Sequence, residues 1–356
     1  MWVGYVREDN DVMTIQQVAA LAGVSTATVS RALAGKKTVS TATRLRVEAA
    51  AKELGYVDSS SASSLASGRT RNIGVVMPFL DAWFYMRVLN GAHQALYDAG
   101  YDLTLYHLDA ASTEPGGEDN PRRSRLFDEF LRRQRVDGFI AVSLELTEAE
   151  LDSLHAIGKP AVGIGGPLRG ALTLSIDDAA VARLATDHLL SLGHRHIAHI
   201  GGDPMLDLDF HLPSHRRGGY EEALRTHGIE PDPLLVRVAD FTITGGYRAT
   251  LQLLGDPRVA PTAIFAASDE MAMGAIMAAR DLGKRVPEDL SIVGIDGHEL
   301  GDFFGLTTVS QFPETQGRLA AQAVLEALET GSTPAHHIAL PFELVVRRST
   351  SVPTDH

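Results

Sequence analysis

The sequence predicts a small all-α helix-turn-helix head followed by an α/β body of two doubly wound lobes, and three observations support this fold class. In residues 13–57, apolar residues recur at helical spacing between polar caps and glycine stops. From Ile73 onward, short apolar runs alternate with helical patterns in two successive series. The 356-residue chain is also long enough for two or three domains with separate cores.

The first two helices of the head are predicted to form the helix-turn-helix. Thr14 caps a helix whose apolar stripe includes Val18, and Gly23 supplies the left-handed backbone of a sharp turn. Ser25 caps the second helix, which ends at Gly35. An ordinary helical hairpin from a core is the alternative. The outward side chains of the second helix are short or basic, which suits a recognition helix that approaches base edges. They are Thr26, Ala27, Thr28, Ser30 and Arg31.

A third helix completes the predicted head. It begins after its N-cap, Ser40, and stops at Gly55. The expected core residues of this helix and of the segment after it are Val47, Ala50 or Ala51, Leu54 and Tyr56.

Eight short apolar runs predict the buried parallel strands of the two lobes. They are residues 73–77, 103–106, 136–142 and 160–164, and then 196–200, 235–238, 263–266 and 291–295. The helices between them are predicted at 85–99, 122–134, 147–156, 179–191, 214–227, 244–254 and 270–282. In such folds a ligand binds in the crevice at the carboxyl ends of the strands.

The distribution of charge favours contact with nucleic acid at one end of the chain only. The net charge is −13, but residues 13–71 contain eight Lys/Arg and three Asp/Glu. Because salt screens charges over about 8 Å, attraction to phosphate depends on the local charge and not on the net charge of the chain. A basic head on an acidic body can therefore approach phosphate.

Composition excludes several other kinds of chemistry. The chain has no cysteine, so disulfide and thiolate chemistry are absent. Residues 1–12 lack the features of a signal peptide, and no apolar run reaches the length of a membrane span, so we expect a cytoplasmic protein.

Three of the 14 histidines, His194, His196 and His199, surround one strand without a clustered carboxylate, so no metal is expected. No phosphate-binding glycine loop or nucleophile elbow is present, so no cofactor is expected.

Short motifs in the head carry a specific resemblance. They occupy residues 14–15, 18–19, 22–25, 28–31, 39–40, 43–44, 54–56 and 62–65. With these motifs the chain resembles the LacI/GalR family of bacterial transcriptional repressors, and the resemblance extends over roughly residues 13 to 350.

The resemblance implies a domain organisation with a periplasmic-binding-protein-like body. The expected segments are an extension at 1–12, disordered or a misassigned start, a DNA-binding domain at 13–57, a hinge at 58–71, and an effector-binding and dimerisation domain at 72–350. Lobe one is expected at about 72–175 and 306–335, and lobe two at about 176–305 and 336–350. Because the family's chain crosses between lobes three times, residues 306–311 should return to lobe one and 343–347 should end in lobe two.

The Ser-rich segment 58–70 matches the family's hinge, which becomes a helix on DNA. Ala62 and Leu65 match the positions that enter the minor groove, where an apolar wedge bends the duplex. Asp58 and Ser59 replace the usual Pro-Asn, and Ser63 replaces a common Arg. A plain flexible linker is the alternative.

The resemblance also implies roles in DNA binding. Thr26 and Ala27 would read bases, and Arg31 would hold a base edge or a phosphate. Phosphate contacts are expected from Thr28, Ser40, Thr43 and Arg44. The complete expected DNA-binding set is Thr14, Ser25, Thr26, Ala27, Thr28, Ser30, Arg31, Ser40, Thr43, Arg44, Tyr56, Ala62 and Leu65.

Arg216 and Asp296 match the family's effector-gripping residues, with Gly297 where a second acid is usual. Phe241 matches a stacking position, and a core phenylalanine is the alternative. The expected effector-binding set is Asp81, Trp83, Phe84, Asp177, Arg216, Phe241, Ser268 and Asp296.

Three alternatives stay open in this set. Trp83 could instead pack the lobes together, and Asp177 could cap the helix at 179–191. Next to Ser268, Asp269 is expected to cap its own helix rather than to bind an effector.

The leading hypothesis is a homodimeric repressor of carbohydrate-utilisation genes that binds a palindromic operator and a small-molecule effector. The polar and aromatic set favours a sugar over a purine. The alternative is a solute-binding protein for sugar uptake, against which the head and the missing export signal argue. A sugar-processing enzyme is disfavoured because no paired acid and base is expected in the cleft.

The first testable prediction concerns the hinge. Replacing the wedge side chain by Leu65→Ala should weaken operator binding and spare solute affinity, because the minor-groove contact lies far from the cleft. Unchanged operator affinity in a salt-controlled titration would refute the hinge role of Leu65.

Overall fold

A computed structural model describes residues 13–33, 38–56, 69–108, 135–204, 211–332 and 335–354. The chain separates into two compact units, Met1–Arg71 and Asn72–His356. Several predicted features lie outside the described residues: the extension at 1–12, Gly35, the hinge residues Ala62 and Leu65, and the helix at 122–134.

The first unit contains the three predicted helices, α1 (Ile15–Ala22), α2 (Thr26–Leu33) and α3 (Thr41–Leu54). The Thr14 hydroxyl accepts the main-chain N–H of Gln17 at 3.4 Å, and Oε1 of Gln17 accepts the main-chain N–H of Thr14. The Ser25 and Ser40 hydroxyls cap α2 and α3 by accepting the N–H three residues later, at 3.2 and 3.3 Å. The three predicted caps are therefore confirmed.

Small aliphatic side chains form the core of this unit. Val18, Val29 and Val47 are fully buried at its centre, one from each helix. Leu54 and Tyr56 pack against them from the end of α3, as predicted. Gly23 and Gly55 take left-handed backbone, with φ of 65° and 63°, so both helices stop where a side chain would be strained.

The second unit consists of two lobes, each built on a six-stranded sheet within the described residues. The strands of the first sheet are β1 (Asn72–Met77), β2 (Asp102–His107), β3 (Gly138–Val142), β4 (Ala161–Ile164), β5 (Leu172–Ser175) and β11 (His337–Ala339). This sheet is wholly parallel, in the order β11-β5-β4-β3-β1-β2. Its helices are α4 (Trp83–Asp98), α5 (Glu148–Ala156) and α11 (Pro313–Thr330).

The second sheet has the order β12-β10-β9-β8-β6-β7 and is parallel except for its last strand, which runs antiparallel to β10. Its strands are β6 (Ile197–Gly201), β7 (Val236–Val238), β8 (Ala263–Ala266), β9 (Ser291–Asp296), β10 (Thr307–Ser310) and β12 (Glu343–Val345). Its helices are α6 (Asp178–Ser191), α7 (Leu212–Thr226), α8 (Ile243–Gly255), α9 (Asp269–Asp281) and the single turn α10 (Gly301–Phe304).

The place where the chain returns to the first lobe differs from the prediction. Strand β10 pairs with β9, Thr307 opposite Val293, so the expectation that residues 306–311 lie in lobe one is wrong. The crossing comes at Phe312, whose φ is 52°, directly before α11. Strand β11 pairs with β5, so residues 337–339 lie in lobe one although lobe two was expected. Strand β12 ends in the second sheet, as expected.

Helices α6 and α7 cross with their backbones almost in contact. A Cβ atom on Gly219 would lie 2.2 Å from the carbonyl oxygen of Ala179, which no real structure tolerates. At the neighbouring Gly218 a Cβ would meet nothing within 4 Å. The close crossing therefore depends on Gly219 and not on Gly218.

This pair of glycines gives a matched test of the crossing. Gly219→Ala should destabilise the protein by about 1–3 kcal/mol, because the helices must separate. Gly218→Ala should stabilise it by about 0.5–1 kcal/mol, because alanine lowers the entropy of the unfolded chain. Urea denaturation of both full-length variants measures the difference, and equal effects would contradict the close crossing.

A cleft between the lobes as the candidate binding site

A cavity of about 310 Å³ lies between the two lobes of the second unit. The segments that line it follow the carboxyl ends of strands or begin helices, as expected for doubly wound sheets. Its lining residues are Phe79, Asp81, Ala82, Phe84, Tyr85, Ser143, Gly165, Ile176, Asp178, Leu212, Arg216, Asp240, Phe241, Thr242, Ser268, Glu270, Asp296, Gln311 and Gln316. Six of the eight predicted effector residues are among them.

Arg216 is the cation of this cavity, held in α7 with only 3% of its surface exposed. Its Nε donates to Oδ1 of Asp178 at 2.8 Å, and its Nη1 donates to the carbonyl oxygen of Ala267. Asp178 is the first residue of α6, so the α6–α7 crossing brings the two charges together. The guanidinium is thus fixed in place by protein groups while it lines the cavity.

Asp296 also lines the cavity, at the end of β9, with an unusual φ of 135°. Its Oδ1 accepts the side-chain N–H of Gln311 at 2.6 Å, and the side chain of Gln316 donates to the carbonyl oxygen of Gln311 at 2.7 Å. Burial raises the pKa of the Asp296 carboxyl to about 7, although the charge of Arg216 opposes the shift.

Ser268 lines the cavity as predicted, but the expected capping role of Asp269 is wrong. The Ser268 hydroxyl accepts the N–H of Met271 at 3.2 Å, so Ser268 is the N-cap of α9. Asp269 was expected to be that cap; instead its Oδ2 accepts the N–H groups of Gly297 and His298 at 2.9 and 2.8 Å. Burial raises the pKa of Asp269, and the negative charge of Asp296 raises it further.

Aromatic side chains from both lobes contribute to the lining. Phe241 has a φ of 59°, and its ring lies against Gly202, where a Cβ would come within 2.2 Å of it. Phe84 meets Tyr85 edge to face, with ring centroids 5.4 Å apart. Phe84 and Phe241 thus lie where the sequence placed an aromatic surface for a ligand, and stacking on a ligand stays a prediction.

Two predicted effector residues do not line the cavity. Asp177 accepts the N–H of Ala180 at 2.9 Å and caps α6, which was the alternative reading of this residue. Trp83 begins α4 and stacks on His298 of the second lobe, with ring centroids 4.4 Å apart. The alternative that Trp83 packs the lobes together is therefore what the structure shows.

Several lining residues were not anticipated from the sequence. Asp178 follows the predicted Asp177, so the signal was displaced by one residue at a helix start. Gln311 follows β10, in the segment that was wrongly expected in lobe one, and Gln316 lies in the first turn of α11 directly after it. Phe79, Tyr85, Ser143, Asp240 and Glu270 had no distinguishing pattern.

The lining is predominantly acidic. It contains five carboxyl groups and one Lys or Arg side chain, Arg216, which is itself paired with Asp178. The carboxyls are Asp81, Asp178, Asp240, Glu270 and Asp296. An anionic ligand would be repelled here, whereas hydroxyl donors would find acceptors.

In the first unit, the outward face of α2 is accessible. Thr26, Ala27 and Arg31 are exposed, and Nε of Arg31 donates to the carbonyl oxygen of Ala27 at 2.9 Å. The hydroxyls of Ser25 and Thr28 lie 2.9 Å apart, as do those of Ser40 and Thr43. DNA contacts by these residues stay predictions.

Two searches of the described residues gave no further site. No three His, Asp or Glu side chains there are grouped so that they could hold a metal ion. No helix in the same ranges is both long and apolar enough to cross a membrane.

A helix-turn-helix unit joined to a two-lobed α/β body with an interlobe cavity defines a class of ligand-responsive regulators. The family described as bacterial regulatory proteins, lacI family, matches residues 14–59, and a periplasmic binding protein-like domain matches residues 186–350. The chain is also 34% identical over 348 residues to the HTH-type transcriptional regulator CelR of Thermobifida fusca, covering 94% of this chain and 98% of that relative. The chain belongs to the LacI family.

Solved structures agree over nearly the whole chain. A Lac repressor dimer bound to operator and the anti-inducer ONPF superposes with a TM-score of 0.81 at 27% identity, covering 95% of this chain and 99% of that one. A complex of the transcriptional regulator CelR with cellobiose has a TM-score of 0.66 at 33% identity, with the same coverage.

The buried acids generate a prediction about pH. Because the folded-state pKa of Asp269 lies above its unfolded value, the folded state binds the proton more tightly and loses stability as pH rises from 5 to 8. Asp269→Asn mimics the protonated acid, so its stability relative to wild type should increase over that range in thermal unfolding.

Asp256→Asn is the matched control for this measurement. Hydrogen bonds from Arg258 hold the pKa of Asp256 below its ordinary value, so Asp256 stays charged from pH 5 to 8. The effect of Asp256→Asn should therefore not change between those pH values. A constant effect of Asp269→Asn as well would show that Asp269 does not titrate in this range.

Proposed function

We propose that the protein is a sequence-specific transcriptional repressor that binds a palindromic operator as a dimer and responds to a neutral sugar in the interlobe cleft. The observation that carries the proposal is that Arg216, Asp296 and Phe241, singled out separately in the sequence, line one cavity. The target genes would be those of carbohydrate utilisation.

The cavity offers the groups that a polyhydroxylated ligand needs. A guanidinium fork can donate to two vicinal hydroxyls, and carboxylates such as Asp240 and Glu270 can accept from others. The aromatic rings of Phe84 and Phe241 supply apolar surface for the faces of a sugar ring. The relative CelR was solved with cellobiose, which supports a sugar ligand for this cleft as well.

The charge of the lining narrows the ligand class. With Arg216 already paired to Asp178, a phosphate or carboxylate group would face uncompensated acids. The proposal therefore excludes sugar phosphates and sugar acids as effectors.

The head supports the DNA part of the proposal. The exposed side chains of α2 suit base contacts, and Ser40, Thr43 and Arg44 at the start of α3 suit phosphate contacts. The Lac repressor was solved as a dimer on its operator, which supports a twofold-symmetric site here. A repressor that binds an operator acts in the cytoplasm. The cleft of such a protein binds its solute and does not catalyse a reaction of it.

The decisive variant is Arg216→Ala. Losing the fork should lower sugar affinity by at least about 100-fold in calorimetry, because hydrogen bonds from a charged donor are among the strongest. Operator affinity should stay as in wild type but no longer respond to the sugar. Arg217→Ala is the matched control, since Arg217 pairs with Glu221 on the outer side of α7 and does not line the cavity.

The wild-type protein is tested first with a thermal-shift panel of glucose, cellobiose and their phosphorylated forms, with and without promoter DNA. Neutral sugars should stabilise the protein and the phosphorylated forms should not. If no twofold-symmetric promoter fragment is preferred over random duplex at physiological salt, with or without these solutes, the proposed function is wrong.

A further inference from the structure

The two lobes are joined by a small cluster of contacts, which we call the latch. It consists of Trp83 at the start of α4 and of His298, Glu299 and Glu270 in the second lobe. We propose that the latch determines the affinity of the cleft for its effector by holding the lobes together, and this inference rests on the proposed function.

Three contacts make up the latch. The Trp83 indole stacks on the His298 imidazole with ring centroids 4.4 Å apart and planes inclined by 24°. The indole N–H donates to Oε2 of Glu299, and the main-chain N–H of Trp83 donates to Oε2 of Glu270 at 3.3 Å. One residue of the first lobe thus contacts three residues of the second.

The main-chain contact completes a helix that is poorly capped by its own sequence. The N-cap of α4 is Ala82, which has no side-chain oxygen and makes no capping bond. The Glu270 carboxylate therefore supplies the missing acceptor from the opposite lobe, at the positive end of the α4 dipole. Opening the cleft would remove this acceptor and leave the N–H to water.

The second-lobe side of the latch is rigidly attached to the cavity wall. Nδ1 of the His298 ring accepts the main-chain N–H of Leu300 at 3.0 Å. The main-chain N–H of His298 donates to Oδ2 of Asp269 at 2.8 Å. Asp269 is the first residue of α9 and directly follows Ser268, which lines the cavity. A change in the separation of the lobes therefore changes the positions of both the latch residues and the ligand-binding residues.

The consequence is thermodynamic. If only the closed arrangement binds the solute tightly, apparent affinity is proportional to the population of that arrangement. Trp83, His298 and Glu299 do not line the cavity, so they act through this population rather than through contact with the solute. They are positioning residues.

The first experiment reads the latch directly, without any ligand or DNA. The chain has two tryptophans, Trp2 and Trp83, so Trp2→Phe leaves Trp83 as the sole indole fluorophore. In that background Glu299→Ala should increase quenching of the emission by acrylamide, because the indole loses its partner. Glu299→Gln keeps an acceptor oxygen, so acrylamide should quench its emission as strongly as that of the Trp2→Phe protein. Equal quenching in all three would overturn the latch.

The second experiment measures affinity by calorimetry with cellobiose, or with the tightest-binding sugar of the panel. Trp83→Ala should weaken binding about tenfold and Glu299→Ala about threefold, since the Glu299 side chain is half exposed. Glu299→Gln should restore most of the loss. Asp302→Ala is the control from the same segment, because Asp302 pairs with Arg347 and not with Trp83.

The outcomes separate this inference from the proposed function. Wild-type binding with unchanged affinity in Trp83→Ala overturns the latch as an affinity determinant and leaves the proposed function standing. If the wild type binds no sugar of the panel, the proposed function fails and the effector role of the latch falls with it. The quenching comparison then shows whether Trp83 still joins the lobes.

Discussion

The binding cleft depends on the burial of one cation, Arg216. Removing a guanidinium from water costs several kcal/mol unless it is paired, and here Asp178 and the carbonyl oxygen of Ala267 provide that compensation. The pairing is possible because α7 crosses α6 without a Cβ at Gly219. The glycine, the ion pair and the orientation of the fork are therefore one arrangement, which presents donors to a solute before the solute arrives.

The end of β9 concentrates the opposite charge. Asp269 and Asp296 are both buried, and burial raises the pKa of each carboxyl. The negative charge of Asp296 raises the pKa of Asp269 further. Main-chain N–H groups of Gly297 and His298 bind Asp269, so the loop that carries the latch is folded around an acid from α9. The cavity-lining Asp296 and the lobe contact at His298 are thus built on the same short segment.

Local signals in the sequence were sufficient for most of the fold and for part of the site. Capping side chains such as Ser25 and Ser40 predicted helix starts to the residue, because each cap satisfies specific N–H groups. The crossing at Phe312 could not be found in this way, since strands of three or four residues such as β10 and β11 carry no periodicity. Which of two adjacent acids, Asp177 or Asp178, lines the cleft depends on helix phase, which only the packed structure defines.

The misplaced crossing has a functional meaning, because it links the solute site to the first lobe. Strand β10 ends beside β9, so Gln311 can bind Asp296, and its carbonyl oxygen is held by Gln316 of α11. Helix α11 in turn packs against α4 so closely that a Cβ on Gly317 would lie 1.9 Å from the carbonyl oxygen of Val88. Such close packing leaves little room for the two helices to shift against each other. If a solute displaces Asp296, as the proposed function implies, these contacts would transmit the displacement to α11 and α4, and α4 carries Trp83 at its start.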